Sequence, residues 1–399
     1  MTRSTVFLAF FAVMLAVFGG MHFYLWARLA RDTGLSEAGR RTAGVLLALA
    51  AVAVPAGLIL ARQLPSRTTR ALAAVVFTWM GTSFLLFCAV LAADLLRLAA
   101  TGVRWALDLA GGRSPDPADA GRRLFVARAV AGGALLAAGG ATARAVRSAT
   151  GEPSVKEVPV KLARLPGQLS GFTLAQISDL HVGPSIREKE VRRVVDLTNA
   201  LRPDAIVITG DLVDGTVAEL RAATDHLGRL SAKHGVFFIT GNHEYYSGAG
   251  AWLAELRRRG IRTLGNERVA RGDRAPGGAS LDLAGVYDWS VARGEDGRWP
   301  ALDEALRGRD PDRSLVLLAH QPRGVAEAVA GGVELQLSGH THGGQIFPWN
   351  YVVSAVYPYS KGLYRHGDGQ IYVSCGTGYW GPPMRLGAPA EVGKIVLTT

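Results

Sequence analysis

Two histidines separated by a single residue, His340 and His342, stand on a glycine-flanked turn, Ser338 to Gln345, directly after the apolar run Val333 to Leu337. Imidazoles so spaced can face one cleft, and neutral imidazole is the commonest protein ligand for metals. Four earlier apolar runs end in the same way. Ile177 is followed by Ser178-Asp179-Leu180-His181, and Ile208 by Thr209-Gly210-Asp211. Ile239 is followed by Thr240-Gly241-Asn242-His243-Glu244, and Leu318 by Ala319-His320. Taken singly, Asp211 and Asn242 read as turn formers or helix caps and His320 as a core histidine. Five such endings in one chain point instead to a shared site. Two aspartates, one asparagine and four histidines besides His243 are enough for two divalent ions roughly 3.5 to 4 Å apart that share one carboxylate, an arrangement that activates water and clamps an electrophilic phosphorus.

The runs Leu174 to Ile177, Ala205 to Ile208, Val236 to Ile239, Leu315 to Leu318 and Val333 to Leu337 are short and β-rich. Helical patterns at Ile186 to Leu201 and Val217 to Ala232 separate the first three. Strands alternating with helices predict an α/β layered domain with buried sheets. In such sheets ligands bind beyond the carboxyl ends of the strands, which is where all these side chains fall.

The series Asp-x-His, Gly-Asp, Gly-Asn-His-Glu, His and Gly-His-Thr-His, present in order over about residues 170 to 399, resembles the calcineurin-like metallophosphoesterase superfamily. Within it the chain is similar to bacterial membrane-associated phosphoesterases of the YkuE/YaeI type. The resemblance implies a four-layer αββα sandwich. It implies that Asp179, His181 and His342 bind one metal, that Asn242, His320 and His340 bind the other, and that Asp211 bridges them. His243 would contact the phosphate and protonate the leaving oxygen, a role suited to an imidazolium near neutral pH. Glu244 would orient a neighbouring histidine. A mixed nitrogen and oxygen set accepts Mn, Fe, Zn or Co without selecting among them.

Other features carry open alternatives. His243-Glu244 begins a His-Glu-x-x pattern, but Ser247 stands where a zinc protease needs its second histidine. Arg385, beyond the segment Gly376-Thr377-Gly378, could meet a substrate phosphate or form a surface salt bridge. The aromatic group Trp349, Tyr351, Tyr357, Tyr359, Tyr364, Tyr379 and Trp380 could line a pocket, touch a lipid interface or pack in the core. The tract Gly248 to Gly278 is variable territory.

The N-terminal third is different in kind. Residues 1 to 144 hold fifteen arginines, no lysine and six acidic residues, so about +9 of the net +11 lies there. That excess borders apolar segments and reads as membrane topology, not as a nucleic-acid surface. Residues 6–26 and 71–93 lack Asp, Glu, Lys and Arg, and each is long enough to cross roughly 30 Å of hydrocarbon. Residues 43–60, around Pro55, and 124–143, with Arg128 snorkelling, complete an expected bundle of about four transmembrane helices. A signal peptide would explain only the first segment. His22, with Tyr24 and Trp26 after it, fits an interfacial aromatic belt, with a proton relay as the alternative. The two cysteines, Cys88 and Cys375, are far apart and supply no disulfide framework.

Arg122 and Arg123 open the fourth segment either as a twin-arginine export signal or as the positive flank of a helix; both readings put them in the cytoplasm. Counting basic residues over the loops agrees, with ten on that side against seven on the other. Residues 145 to 169 read as a linker, with one strand around Val155 to Leu162, before a metallophosphoesterase domain at 170 to 399. The expectation is a multi-pass cell-membrane protein with an extracytoplasmic catalytic domain, hydrolysing a phosphodiester, pyrophosphate or phosphomonoester bond of a lipid or envelope metabolite. A non-catalytic metal-binding or interaction module on the same fold is the alternative.

Overall fold

A computed structural model describes residues 3–63, 67–111, 119–272, 278–290 and 299–399. The chain divides into two compact units, Met1–Arg147 with Gly381–Met384, and Ser148–Trp380 with Arg385–Thr399. Part of the tract Gly248 to Gly278 lies outside the described residues.

The first unit is helical. Its helices run Arg3–Trp26, Glu37–Gln63, Arg67–Ala110 and Ala120–Thr150, each containing one of the expected spans and extending past it. All four are long and apolar enough to cross a membrane. The third continues to Ala110, so Arg97 and Arg104, beyond the expected span at 71–93, are helical. Several polar groups described inside this unit are paired. His22 is buried; its Nε2 accepts from Trp79 Nε1 at 3.0 Å and its Nδ1 lies 2.8 Å from Phe18 O, so it tethers helices and does not sit in an exposed belt. Tyr24 donates to Asp94 at 2.5 Å, and Arg28 lies 2.8 Å from the same carboxylate. Arg128 donates to Thr33 O at 2.9 Å.

The second unit is built on twelve described strands: β1 (Ser154–Lys161), β2 (Thr173–Ile177), β3 (Ala205–Thr209), β4 (Val236–Ile239), β5 (Arg262–Thr263), β6 (Glu267–Gly272), β7 (Ser280–Gly285), β8 (Leu315–Leu318), β9 (Leu335–Ser338), β10 (Gly362–His366), β11 (Gly369–Val373) and β12 (Glu391–Thr398). They form two six-stranded sheets, ordered β1-β12-β2-β3-β4-β5 and β10-β11-β9-β8-β7-β6. The expected linker strand is real, but it belongs to the first sheet, where β1 pairs in parallel with β12 from Ser154↔Glu391 to Lys161↔Thr398.

Alternating residues explain the layers. Leu174, Val207, Phe237 and Ile239 of the first sheet meet Val316, Leu318, Leu335 and Leu337 of the second in one core. The intervening residues Ala175, Ile177, Ile206, Ile208 and Phe238 point away, onto helices Glu188–Ala200 and Ala249–Arg258. On the far side Leu315 and Leu317 pack with Ala305 and Ala328, from helices Leu302–Leu306 and Val325–Ala330. The result is the four-layer αββα sandwich. Strands covered on both faces read as unbroken apolar runs, which is why no alternation marks them in the sequence.

One helical expectation changes. Helix forms over Val217–Leu220 and then gives way to a 3-10 turn at Asp225–Arg229. The Thr224 hydroxyl turns back onto the carbonyls of Leu220 and Arg221, a local bond that competes with continued helix.

Candidate metal centre

Strands β2, β3 and β4 are parallel neighbours, and so are β7, β8 and β9. The loops leaving their carboxyl ends therefore emerge on one edge of each sheet. Asp179 and His181 follow β2, Asp211 follows β3, Asn242 and His243 begin helix Asn242–Ser247 after β4, His320 follows β8, and His340 and His342 follow β9.

These loops are held in an uncommon backbone shape. Asp179, His181, Asp211, His340 and His342 have φ of 51°, 52°, 51°, 73° and 51°, which makes them five of the eight non-glycine residues with positive φ among the described residues. Each such conformation costs on the order of 1 to 3 kcal/mol and persists where surrounding contacts over-determine it. The glycines of the motifs supply some of those contacts. A Cβ on Gly241 would lie 2.3 Å from Asp211 Oδ1, and one on Gly339 would lie 2.2 Å from Asp179 Oδ2. Hydrogen bonds complete the packing: His340 N donates to Asp179 Oδ1 at 2.9 Å, and His243 N to Asp211 Oδ1 at 2.8 Å.

The side chains converge. Ligand atoms of Asp179, His181 and His342 lie within 4.8 Å of one another, as do those of Asp211, His320 and His340. Asn242 Oδ1 joins the second group, 3.1 Å from His340 Nδ1. Asp211 reaches both groups, with Oδ2 at 3.1 Å from His320 Nε2 and 4.0 Å from His181 Nε2. The seven residues are thus two donor sets meeting at one carboxylate.

The arrangement calls for cations. His320 Nδ1 lies 2.7 Å from Thr209 O, to which only its N–H can bond, so the neutral ring presents a lone pair at Nε2. That buried nitrogen has no hydrogen-bond partner although it faces Asp211. Two lone pairs at such a distance repel unless positive charge lies between them. Burial opposes a charged imidazole, yet Asp211 draws His320 well above its ordinary range. Likewise His181 Nε2 and His342 Nε2 stand 3.0 Å apart, where both cannot keep a proton. Burial alone would lower His181, but Asp214, Asp211 and Asp179 raise it to about 9. Burial and the charge of His181 push His342 well below the usual histidine range, and burial and His320 push His340 down to about 3. Both stay neutral, the form that ligates. Oxygen and imidazole nitrogen donors in these numbers suit divalent ions of the Mn, Fe, Co, Zn group.

His243 stands beside both sets. Its Nε2 is 3.9 Å from Asp211 Oδ2, and its ring meets the His181 ring edge-on at 4.6 Å. Its Nδ1 donates to Asp214 Oδ1 at 2.5 Å, and His181 Nδ1 reaches the same oxygen at 3.2 Å. Asp214 was not among the sequence candidates. Burial would raise its carboxyl, but His181 and His243 hold it below the usual carboxylate range. The pattern Gly-Asp-x-x-Asp, three residues past Asp211, was the available signal.

Two expectations change here. Glu244 does not orient a histidine: its buried carboxylate accepts from the backbone N–H of Asp211, Leu212, Val213 and Gly241, at 3.0, 2.8, 3.3 and 2.6 Å. Burial and Asp211 push it up to about 8, against four donors that favour the anion. Its place one turn into the helix brings it under the Asp211 loop. Glu244→Ala would strand four N–H groups, and a loss of about 3 to 5 kcal/mol is expected. Thermal unfolding checks this; an unchanged Tm would refute it.

Arg385 neither faces substrate nor bridges at the surface. It is 1% exposed and donates to Gly378 O, Cys375 O and Ala388 O at 2.7, 2.7 and 2.9 Å, with Nη2 3.1 Å from His342 Nδ1. Buried carbonyls satisfy its fork and fix the loop behind His342. Gly376-Thr377-Gly378 backs the same ligands, Thr377 N donating to Ser178 O and Gly378 N to Asp179 O. The aromatic group divides: Tyr359 meets Tyr364 edge-on over a small core, Tyr379 is buried, Tyr357 OH lies 3.2 Å from His340 Nε2, and Trp349, Tyr351 and Trp380 are exposed.

An αββα sandwich carrying paired nitrogen and oxygen sets on a shared carboxylate defines the metallophosphoesterase class. Residues 172–344 match the calcineurin-like phosphoesterase family. The chain is 34% identical over 331 residues to a Bos taurus transmembrane protein with metallophosphoesterase domain, across 81% of this chain and 73% of that protein. It is 38% identical over 247 residues to a Helicobacter pylori protein described as an uncharacterized metallophosphoesterase, across 61% of this chain and 64% of the relative's length. It is 31% identical over 283 residues to the Bacillus subtilis metallophosphoesterase YkuE, across 67% and 93%. The chain belongs to the calcineurin-like metallophosphoesterase family.

Proposed function

We propose that the protein is a membrane-anchored, two-metal phosphoesterase whose catalytic domain is extracytoplasmic. The observation that carries the reading is Asp211, one carboxylate within reach of both donor sets, with His243 beside it. Asp179, His181 and His342 would hold one divalent cation, Asn242, His320 and His340 the other, with Asp211 between. When bound, such a pair supplies Lewis-acid stabilisation of phosphoryl oxygens and an acidified water for in-line attack. The chain's own residues do the rest. His243 presents Nε2 to the departing oxygen as proton donor, while Asp214 accepts from Nδ1 and fixes the ring's orientation. Glu244 and Arg385 keep Asp211 and His342 in place without touching substrate. The four apolar helices and the larger number of basic residues on the same side as Arg122 and Arg123, ten against seven, support the topology.

Full-length protein in detergent, stripped of metal and resupplied with Mn2+, is expected to hydrolyse bis-p-nitrophenyl phosphate and p-nitrophenyl phosphate, with loss on chelation and recovery on readdition. Right-side-out membrane vesicles should do so without permeabilisation; activity appearing only after permeabilisation would reverse the topology. No turnover with Mn, Fe, Co or Zn, in protein that binds two ions per chain, would favour the non-catalytic module.

A further inference from the structure

Helix Trp349–Val356 buries none of its eight residues, although six of them are apolar or aromatic. Tyr351 and Val356 are each 66% exposed. No charged residue occurs from Gly343 to Ser360. Isolated exposed apolar residues are ordinary, whereas a contiguous uncharged face marks a binding or membrane surface.

This face is linked to the metal centre by contacts at both of its ends. Gln345, three residues past His342, clasps the Trp380 backbone, with Nε2 donating to Trp380 O at 2.9 Å and Trp380 N donating to Oε1 at 3.0 Å. The Trp380 ring stands 5.7 Å from that of His243. Phe347, in the same turn as Gln345, packs edge-on against Tyr351 at 5.8 Å and starts the helical ridge. At the helix's other end Tyr357 OH lies 3.2 Å from His340 Nε2. The ridge is therefore joined at both ends to residues of the metal centre.

We propose that this ridge seats the acyl portion of a phospholipid drawn from the bilayer, and so makes the substrate a lipid phosphate ester. The proposal rests on the phosphoesterase reading of the metal centre. A polar substrate such as a nucleotide or phosphoprotein loop would leave Phe347, Tyr351, Val352 and Val356 in water. A lipid places its phosphate at the ions and its chains along the ridge. Trp and Tyr favour the boundary between headgroups and hydrocarbon, and Trp349 and Tyr351 stand exposed on this ridge. The same chain carries four helices apolar enough to span a membrane, so the bilayer is the apolar phase always within reach of the domain.

Two measurements on the full chain in phosphatidylcholine/phosphatidylglycerol nanodiscs test this. Val352→Cys, in a Cys88→Ser background, is labelled with a nitrobenzoxadiazole fluorophore. Blue-shifted emission, quenched at least twofold by doxyl groups on the acyl chains and little by aqueous iodide, is the expected result. Quenching by iodide alone overturns the proposal. Protection from both quenchers, with cross-linking to a second copy, makes the ridge a self-interface and also overturns it. In the second, the triple variant Phe347→Ser, Tyr351→Ser, Val352→Ser is compared with the parent chain on two substrates. Its kcat/KM for a phospholipid in mixed micelles should fall at least tenfold more than for bis-p-nitrophenyl phosphate. Equal falls, or none, overturn the lipid assignment. If the parent chain hydrolyses neither substrate, the phosphoesterase reading fails, while the fluorescence still decides whether the ridge meets lipid.

Discussion

Asp211→Asn is expected to lower metal-dependent turnover of every phosphate ester at least about a thousandfold, because it removes the anionic oxygen on which both donor sets converge. An amide offers one carbonyl oxygen and, on its other side, N–H donors that repel a cation. Asp211 Oδ2 is the atom 3.1 Å from His320 and within 4.0 Å of His181, so the variant removes charge from both sites together. Fold should survive, since the Asn oxygen can still accept the His243 N–H that Oδ1 accepts now at 2.8 Å. Calorimetric titration of stripped protein should show fewer than two tight Mn2+ ions per chain. Retention of more than a tenth of the parent activity would rule out a bridging role.

The second large effect concerns the leaving group. His243→Ala should cost about 10² to 10⁴ in kcat for a diester with an alkyl leaving group, the usual range for a positioned general acid. The fall should be much smaller for a p-nitrophenyl ester, whose phenolate departs without protonation. Asp214→Asn should reproduce the same selectivity in weaker form, because it loosens His243 at Nδ1 without removing the ring. Equal losses for good and poor leaving groups would instead make His243 a phosphate-binding residue. Both variants are to be compared at saturating Mn2+, which separates a lost acid from a lost ion.

How much of this was legible in the sequence depended on the range of the interactions. His340, His342 and the endings of the other four runs were readable because each follows its strand by one to four residues, so strand and loop fix its position locally. Leu174, Val207 and Phe237 showed where strands lie but not which strands are neighbours. The pairing of β1 with β12 joins residues more than two hundred apart in sequence, and no local pattern announces it. Asp214 was overlooked for a related reason: its partner His243 lies 29 residues on, and only the parallel placement of β3 and β4 brings the two together. Glu244 and Arg385 were assigned by motif and by charge, yet both turned inward to backbone atoms. Side-chain type predicts what a group can bond, whereas burial decides what it does bond.

Each donor set draws on both sheets. Asp179 and His181 come from the first and His342 from the second; Asp211 and Asn242 come from the first and His320 and His340 from the second. A cation in either set would consequently be a rivet through two layers, added to cross-sheet hydrogen bonds such as His340 N to Asp179 Oδ1 and Gln176 Nε2 to Ser338 O at this edge. Ion binding and the stacking of the sheets are linked equilibria, so each strengthens the other by the free energy of binding. A fragment that carries only the first sheet would lack His342 from one set and His320 and His340 from the other, and metal capture would report that the two halves of the sandwich have closed.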